Sequence, residues 1–149
     1  MRLPMRQKPP ELRRLAAIFA GGVIGALARV GLAEALPHGA GSWPWATFAV
    51  NMVGALLLGY FVAQLRDHPE ERLTHPFLTT GICGTLTTFA TMQLELFRMI
   101  DAGHLGLAAA YVGATLVLGY GFVRIGLSIE HHGGPFGIWR RQSPRGEEA

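Results

Sequence analysis

Residues Gly81 to Glu95, GICGTLTTFATMQLE, decide how this chain is read. They lie inside an apolar block, Phe77 to Phe97, close to the roughly 20 residues that cross a bilayer as a helix. Gly81, Gly84 and the threonines Thr85, Thr87, Thr88 and Thr91 make that block a poor continuous helix. Backbone that leaves helical geometry at membrane depth survives only where protein buries it or where it lines a wet cavity. Freed carbonyls and half-helix ends then become an ion site. The stretch predicts an ion-handling centre with the rest of the chain as its scaffold.

Working outward, three further apolar blocks appear: Leu15 to Leu36, Trp45 to Leu65 and Leu105 to Leu127. Each has spanning length, and the second carries no charge. Half of the 149 residues are apolar and only 15% are charged, below the roughly 25% of soluble domains. No block shows the wide polar face of a soluble bundle helix. The fold class expected is an all-α membrane protein with four transmembrane helices, the third of them broken. It is expected to occupy residues 15–129, between a basic tail (1–14) and a disordered tail (130–149). No cleavable signal peptide is expected, because the first apolar block is as long as a spanning helix. The net charge of +3 resides mostly in the tails, which is not a nucleic-acid footprint. Cys83 is alone, so neither a disulfide framework nor a cysteine-based zinc motif is expected. No nucleophile–base constellation points to catalysis.

Polar residues inside the blocks are the candidate functional groups. Gly21 and Gly25, four apart in the first block, form a small-xxx-small pattern that suits close helix contact. Arg29 lies in the same block; an intramembrane arginine marks a functional site by default, or else snorkels to the interface. Asn51 is the strongly polar residue of the second block, and a buried amide must bond another helix or face a pore. Tyr111 and Thr115 share one face of the fourth block, as interhelical glue or as a pore-lining track. His68, His75, His131 and His132 read as loop and tail residues. With four spans, both tails and the middle loop share one side. That side holds Arg2, Arg6, Lys8, Arg13, Arg14, Arg66, Arg72, Arg124, Arg140, Arg141 and Arg145, against Arg98 alone opposite. The positive-inside rule then places both termini in the cytoplasm.

The motifs GGVIGALAR (Gly21 to Arg29), FAVNMVGALLLG (Phe48 to Gly59) and GICGTLTTFATMQLE, in that order, resemble the Fluc, or CrcB, fluoride channels. The resemblance covers roughly Ala20 to Leu127. It implies an antiparallel, dual-topology dimer with two fluoride pores in a bacterial cytoplasmic membrane. It also implies a structural, non-transported Na⁺ held by the backbone carbonyls of Gly84 and Thr87 from each subunit. Asn51 would donate its amide to fluoride, Phe89 would offer its electropositive ring edge, and Arg29 would raise the potential at a vestibule. Thr91, Tyr111 and Thr115 fall on the family's polar track. Met92 stands where the family usually has a second phenylalanine, and Ala90 where it usually has serine. Glu95 matches an acidic position near the span end. The expected partners are fluoride, lipid and either a second copy or an inverted paralogue, the latter suggested by the strong charge bias. No catalytic residue is expected. The rival readings are a proton-coupled exporter of the small multidrug-resistance type, half of a heterodimeric fluoride channel, and a membrane subunit that only holds a partner. The exporter would need a carboxylate in the membrane interior.

Overall fold

Uninterrupted apolar sequence gives long helices, and in the computed structural model the described residues, 11–66 and 73–131, form helices joined by short non-helical stretches. The basic tail before Glu11, the loop with His68, and the C-terminal tail with His132 lie outside them. Helix α1 (Glu11–Ala35) begins earlier than the sequence suggested. Arg13 and Arg14 therefore belong to its first turn, behind an acidic Glu11 that suits a helix N-terminus. Helix α2 is Trp45–Arg66. The third block is built in pieces: a π-helical segment α3 (Pro76–Cys83), one short turn α4 (Gly84–Leu86), and α5 (Phe89–Asp101). Helix α6 (Leu105–His131) completes the described chain. Among the described residues three helices, α1, α2 and α6, are long and apolar enough to cross a membrane.

The interruption falls at Thr87–Thr88. Gly84 stays helical at φ −66°, ψ −25°, whereas Thr87 (φ −74°, ψ 149°) and Thr88 (φ −147°, ψ 118°) are extended. Threonine side chains explain this locally, since their hydroxyls compete for backbone groups. Thr79 bonds the His75 carbonyl at 2.8 Å, Thr85 that of Gly81 at 2.8 Å, and Thr87 that of Cys83 at 2.9 Å. Thr88 then caps α5, accepting the Thr91 amide at 3.1 Å.

Helix α1 packs mainly on α3 and α4, and α2 mainly on α6. The first contact is backbone against backbone. A Cβ at Gly21 would run into the Phe77 carbonyl, and one at Gly25 into Thr85 Oγ1 and the Ile82 carbonyl. The second contact is parallel: Phe48 packs on Tyr111, Met52 reaches Gly119, and Gly59 meets Val123. At one end, the α1–α2 and α5–α6 loops meet where Gly41 approaches His104. Beneath them Trp43, Phe48, Met92, Leu96, Met99, Leu107, Ala108 and Tyr111 form the apolar core. Most of α1 remains exposed, including Phe19, Leu27 and Val30, as expected of a helix bathed in lipid.

Candidate functional site

The break in the third block strands backbone groups that two side chains from other helices take up. The Thr88 amide would have closed a turn onto the Gly84 carbonyl. It donates instead to Asn51 Oδ1 at 2.8 Å, and Asn51 Nδ2 donates to the Thr88 carbonyl at 3.2 Å. Asn51 thus pairs with one residue of extended backbone as a neighbouring strand would, and this pairing fixes which way its amide points. One Nδ2–H has no partner among the described residues. A second line continues from Thr88: its hydroxyl donates to Thr91 Oγ1 at 3.0 Å. On the other side, Arg29 Nε donates to the Thr85 carbonyl at 3.1 Å. Phe89, the residue whose amide would normally serve that carbonyl, begins the next helix. A guanidinium at the end of α4 also suits the sign of the helix dipole. Thr85 Oγ1 ties this junction to α1 through the Gly22 carbonyl at 2.9 Å.

Arg29 therefore completes the broken helix from α1. Arg29→Ala is expected to destabilise the fold by about 1–3 kcal/mol, the cost of stranding a partly buried carbonyl. Thermal unfolding in detergent measures it; a midpoint equal to that of the parent chain would remove this role.

Two of the residues expected on a polar track, Tyr111 and Thr115, lie on α6, and Tyr111 packs against Phe48 of α2. Tyr111 is fully buried, with Trp43 edge-on to its ring at 5.4 Å and 86°. The Tyr111 hydroxyl, Thr115 Oγ1 and Trp43 Nε1 are all buried without a hydrogen-bond partner among the described residues. Since α2 and α6 run parallel, Asn51 and Thr115 stand one turn beyond the Phe48–Tyr111 contact, at a common level. Met92 packs into the Tyr111 cluster. Phe89 does not join these groups. It is 70% exposed at the start of α5, and Gly84 and Ala90 are exposed as well.

Residues 16–127, which contain all of these groups, match the family model described as CrcB-like protein, Camphor Resistance (CrcB). The chain belongs to the CrcB family. Among the CrcB proteins it resembles, "Fluoride-specific ion channel FluC 1" of Mycobacterium bovis is 54% identical over 111 residues, 73% of this chain and 83% of the relative. The protein of the same name from Mycolicibacterium paratuberculosis is 47% identical over 110 residues, 73% of this chain and 83% of the relative. "Fluoride-specific ion channel FluC 2" of Streptomyces avermitilis is 42% identical over 103 residues, 68% of this chain and 65% of the relative.

Two residues of this CrcB chain were not singled out by sequence reasoning as parts of a site. Thr85 joins α1, α4 and Arg29, and the only signal for it was membership of a threonine-rich run. His38, in the α1–α2 loop, bonds Glu95 through Nε2 at 2.8 Å. Nothing in the linear sequence connects them, 57 positions apart. Glu95 was expected near a span end. Because α5 continues to Asp101, it lies nearly two turns inside, and it is buried.

Proposed function

We propose that this chain is a fluoride-selective channel of the bacterial cytoplasmic membrane, with four spans, the third being the broken α3–α5 unit. It lets fluoride leave the cytoplasm passively and so protects against fluoride toxicity. A negative-inside potential drives the anion outward with about 2.3 kcal/mol per charge per 100 mV. The observation that carries this reading is the set of polar groups left over in the α2–α6 contact. Asn51 keeps one N–H beyond its pair with Thr88, and the buried Tyr111 and Thr115 hydroxyls on α6 have no partner among the described residues. Buried donors without acceptors suit a small anion that has shed its water. Names of relatives roughly half identical to the chain support the choice of fluoride.

Exposed groups at and after the break support assembly with a second, inverted copy or an inverted paralogue. Phe89, Phe97 and Gly84 are all exposed. The Gly84 carbonyl has lost the amide four residues on, and that of Thr87 belongs to extended backbone. Two such oxygens from each of two chains fit a hard cation, so these residues would hold a structural Na⁺ between subunits. When bound, that ion supplies positive charge near the anion path. Phe89 is read as presenting its ring edge to fluoride from the facing subunit.

Glu95, buried inside α5, gives the proton-coupled exporter reading its one structural support. Its carboxylate is occupied by His38, whereas an exporter needs it free to trade a proton for a cation.

The deciding experiment loads liposomes with potassium fluoride, adds a potassium ionophore and follows release with a fluoride electrode. Fluoride release without chloride release is expected, and Phe89→Ile should slow it roughly tenfold by removing the ring edge. Pumping of a cationic dye with no fluoride release, from the chain alone and with an inverted homologue, would replace this reading with the exporter.

A further inference from the structure

The pair between His38 and Glu95 stands apart from the groups used so far. Glu95 is 5% exposed, on the face of α5 that carries Met92 and Met99 one turn to either side. Both methionines pack in the Tyr111 cluster, so the carboxylate belongs to the same end of the polar track. His38 descends from the α1–α2 loop and holds Oε2 at 2.8 Å, with 19% of its own side chain still open. An intramembrane carboxylate is costly and needs a partner. Beside an anion path it has a second effect, because it repels the anion.

We propose that His38 is a positioning residue that clamps the Glu95 carboxylate and makes fluoride conduction rise as the pH falls. This rests on the fluoride-channel reading above. With His38 neutral, its Nε2–H donates to a carboxylate that keeps its full negative charge. Adding one proton to the pair removes that net charge, whichever partner holds it. Imidazole is the side chain whose ordinary titration lies between about pH 5 and pH 8. The other titratable groups facing this region leave the sign unchanged. Tyr111 on α6 stays neutral over that range. The segment of α2 from Trp45 to Gly59 carries no titratable side chain. On α5 itself, the charged residues Arg98 and Asp101 are exposed. His104 lies beside Gly41 in the facing loop.

The test is fluoride release from liposomes with equal pH on both sides, so that subunit orientation does not enter, after subtracting the leak of protein-free vesicles. From about pH 8 to about pH 5 the rate should rise roughly tenfold, the scale of one unit charge near a partly hydrated path. His38→Gln, which keeps a donor but cannot titrate, should flatten the profile, and Glu95→Gln should flatten it too. A flat profile in the parent chain overturns the inference and leaves the channel standing, and needs no variant to fold. A rise retained in His38→Gln overturns it as well. If the chain, alone and with an inverted homologue, releases no fluoride at any pH, the channel reading falls and the inference with it.

Discussion

Asn51→Asp should abolish fluoride release, by about a hundredfold or more, while the protein remains folded. The substitution is nearly isosteric, and Oδ1 still accepts the Thr88 amide as it does now at 2.8 Å. What changes is the other end. The Nδ2–H that reaches the Thr88 carbonyl becomes an oxygen facing an oxygen, and the leftover N–H disappears. A fixed negative charge also enters the path, where at an effective dielectric near 20 it costs an approaching anion about 4 kcal/mol at 4 Å. Donor loss and repulsion act in the same direction, which is why this change is expected to exceed Phe89→Ile. The liposome assay reads it, with gel filtration in detergent as the check on folding. Release within threefold of the parent would remove Asn51 from the path.

The second large effect falls on stability. Gly21→Val should cost about 3 kcal/mol or more and leave little monodisperse protein. A Cβ there meets the Phe77 carbonyl and comes within 3.1 Å of Gly81 Cα and Ile82 N, all backbone that cannot turn aside. Gly31→Val is the control. It lies in the same helix with nothing within 4 Å, so its change touches only lipid or detergent. Thermal unfolding by circular dichroism compares the two. Equal midpoints would mean that the α1–α3 contact is looser than direct backbone-to-backbone packing.

Much of this architecture is legible in the sequence because its signals are local. Apolar length gives the helices α1, α2 and α6, and a run of threonines marks the break within one residue or two. The small-residue spacing of Gly21 and Gly25 reads directly as a close helix contact. Asn51 and Arg29 stand out because polar groups are rare in such blocks. What the sequence hides is who answers whom. That Asn51 pairs with Thr88, that Arg29 serves the Thr85 carbonyl, and that His38 reaches Glu95 depend on chain segments far apart in sequence. The π-helical turns of α3 were likewise illegible, since helix propensity does not separate one hydrogen-bond step from the next.

The stranded carbonyl at Gly84 also bears on the life of the protein before it is whole. A polar backbone group left facing hydrocarbon costs several kcal/mol, and a newly inserted single chain has only lipid or stray water to offer it. In the proposed dimer the facing copy would relieve that cost, so the persistence of each subunit would depend on how many counterparts share the membrane. Surplus copies would be the ones that loosen at the break first. The notch proposed to hold an ion in the assembly would thus mark the unassembled subunit for removal.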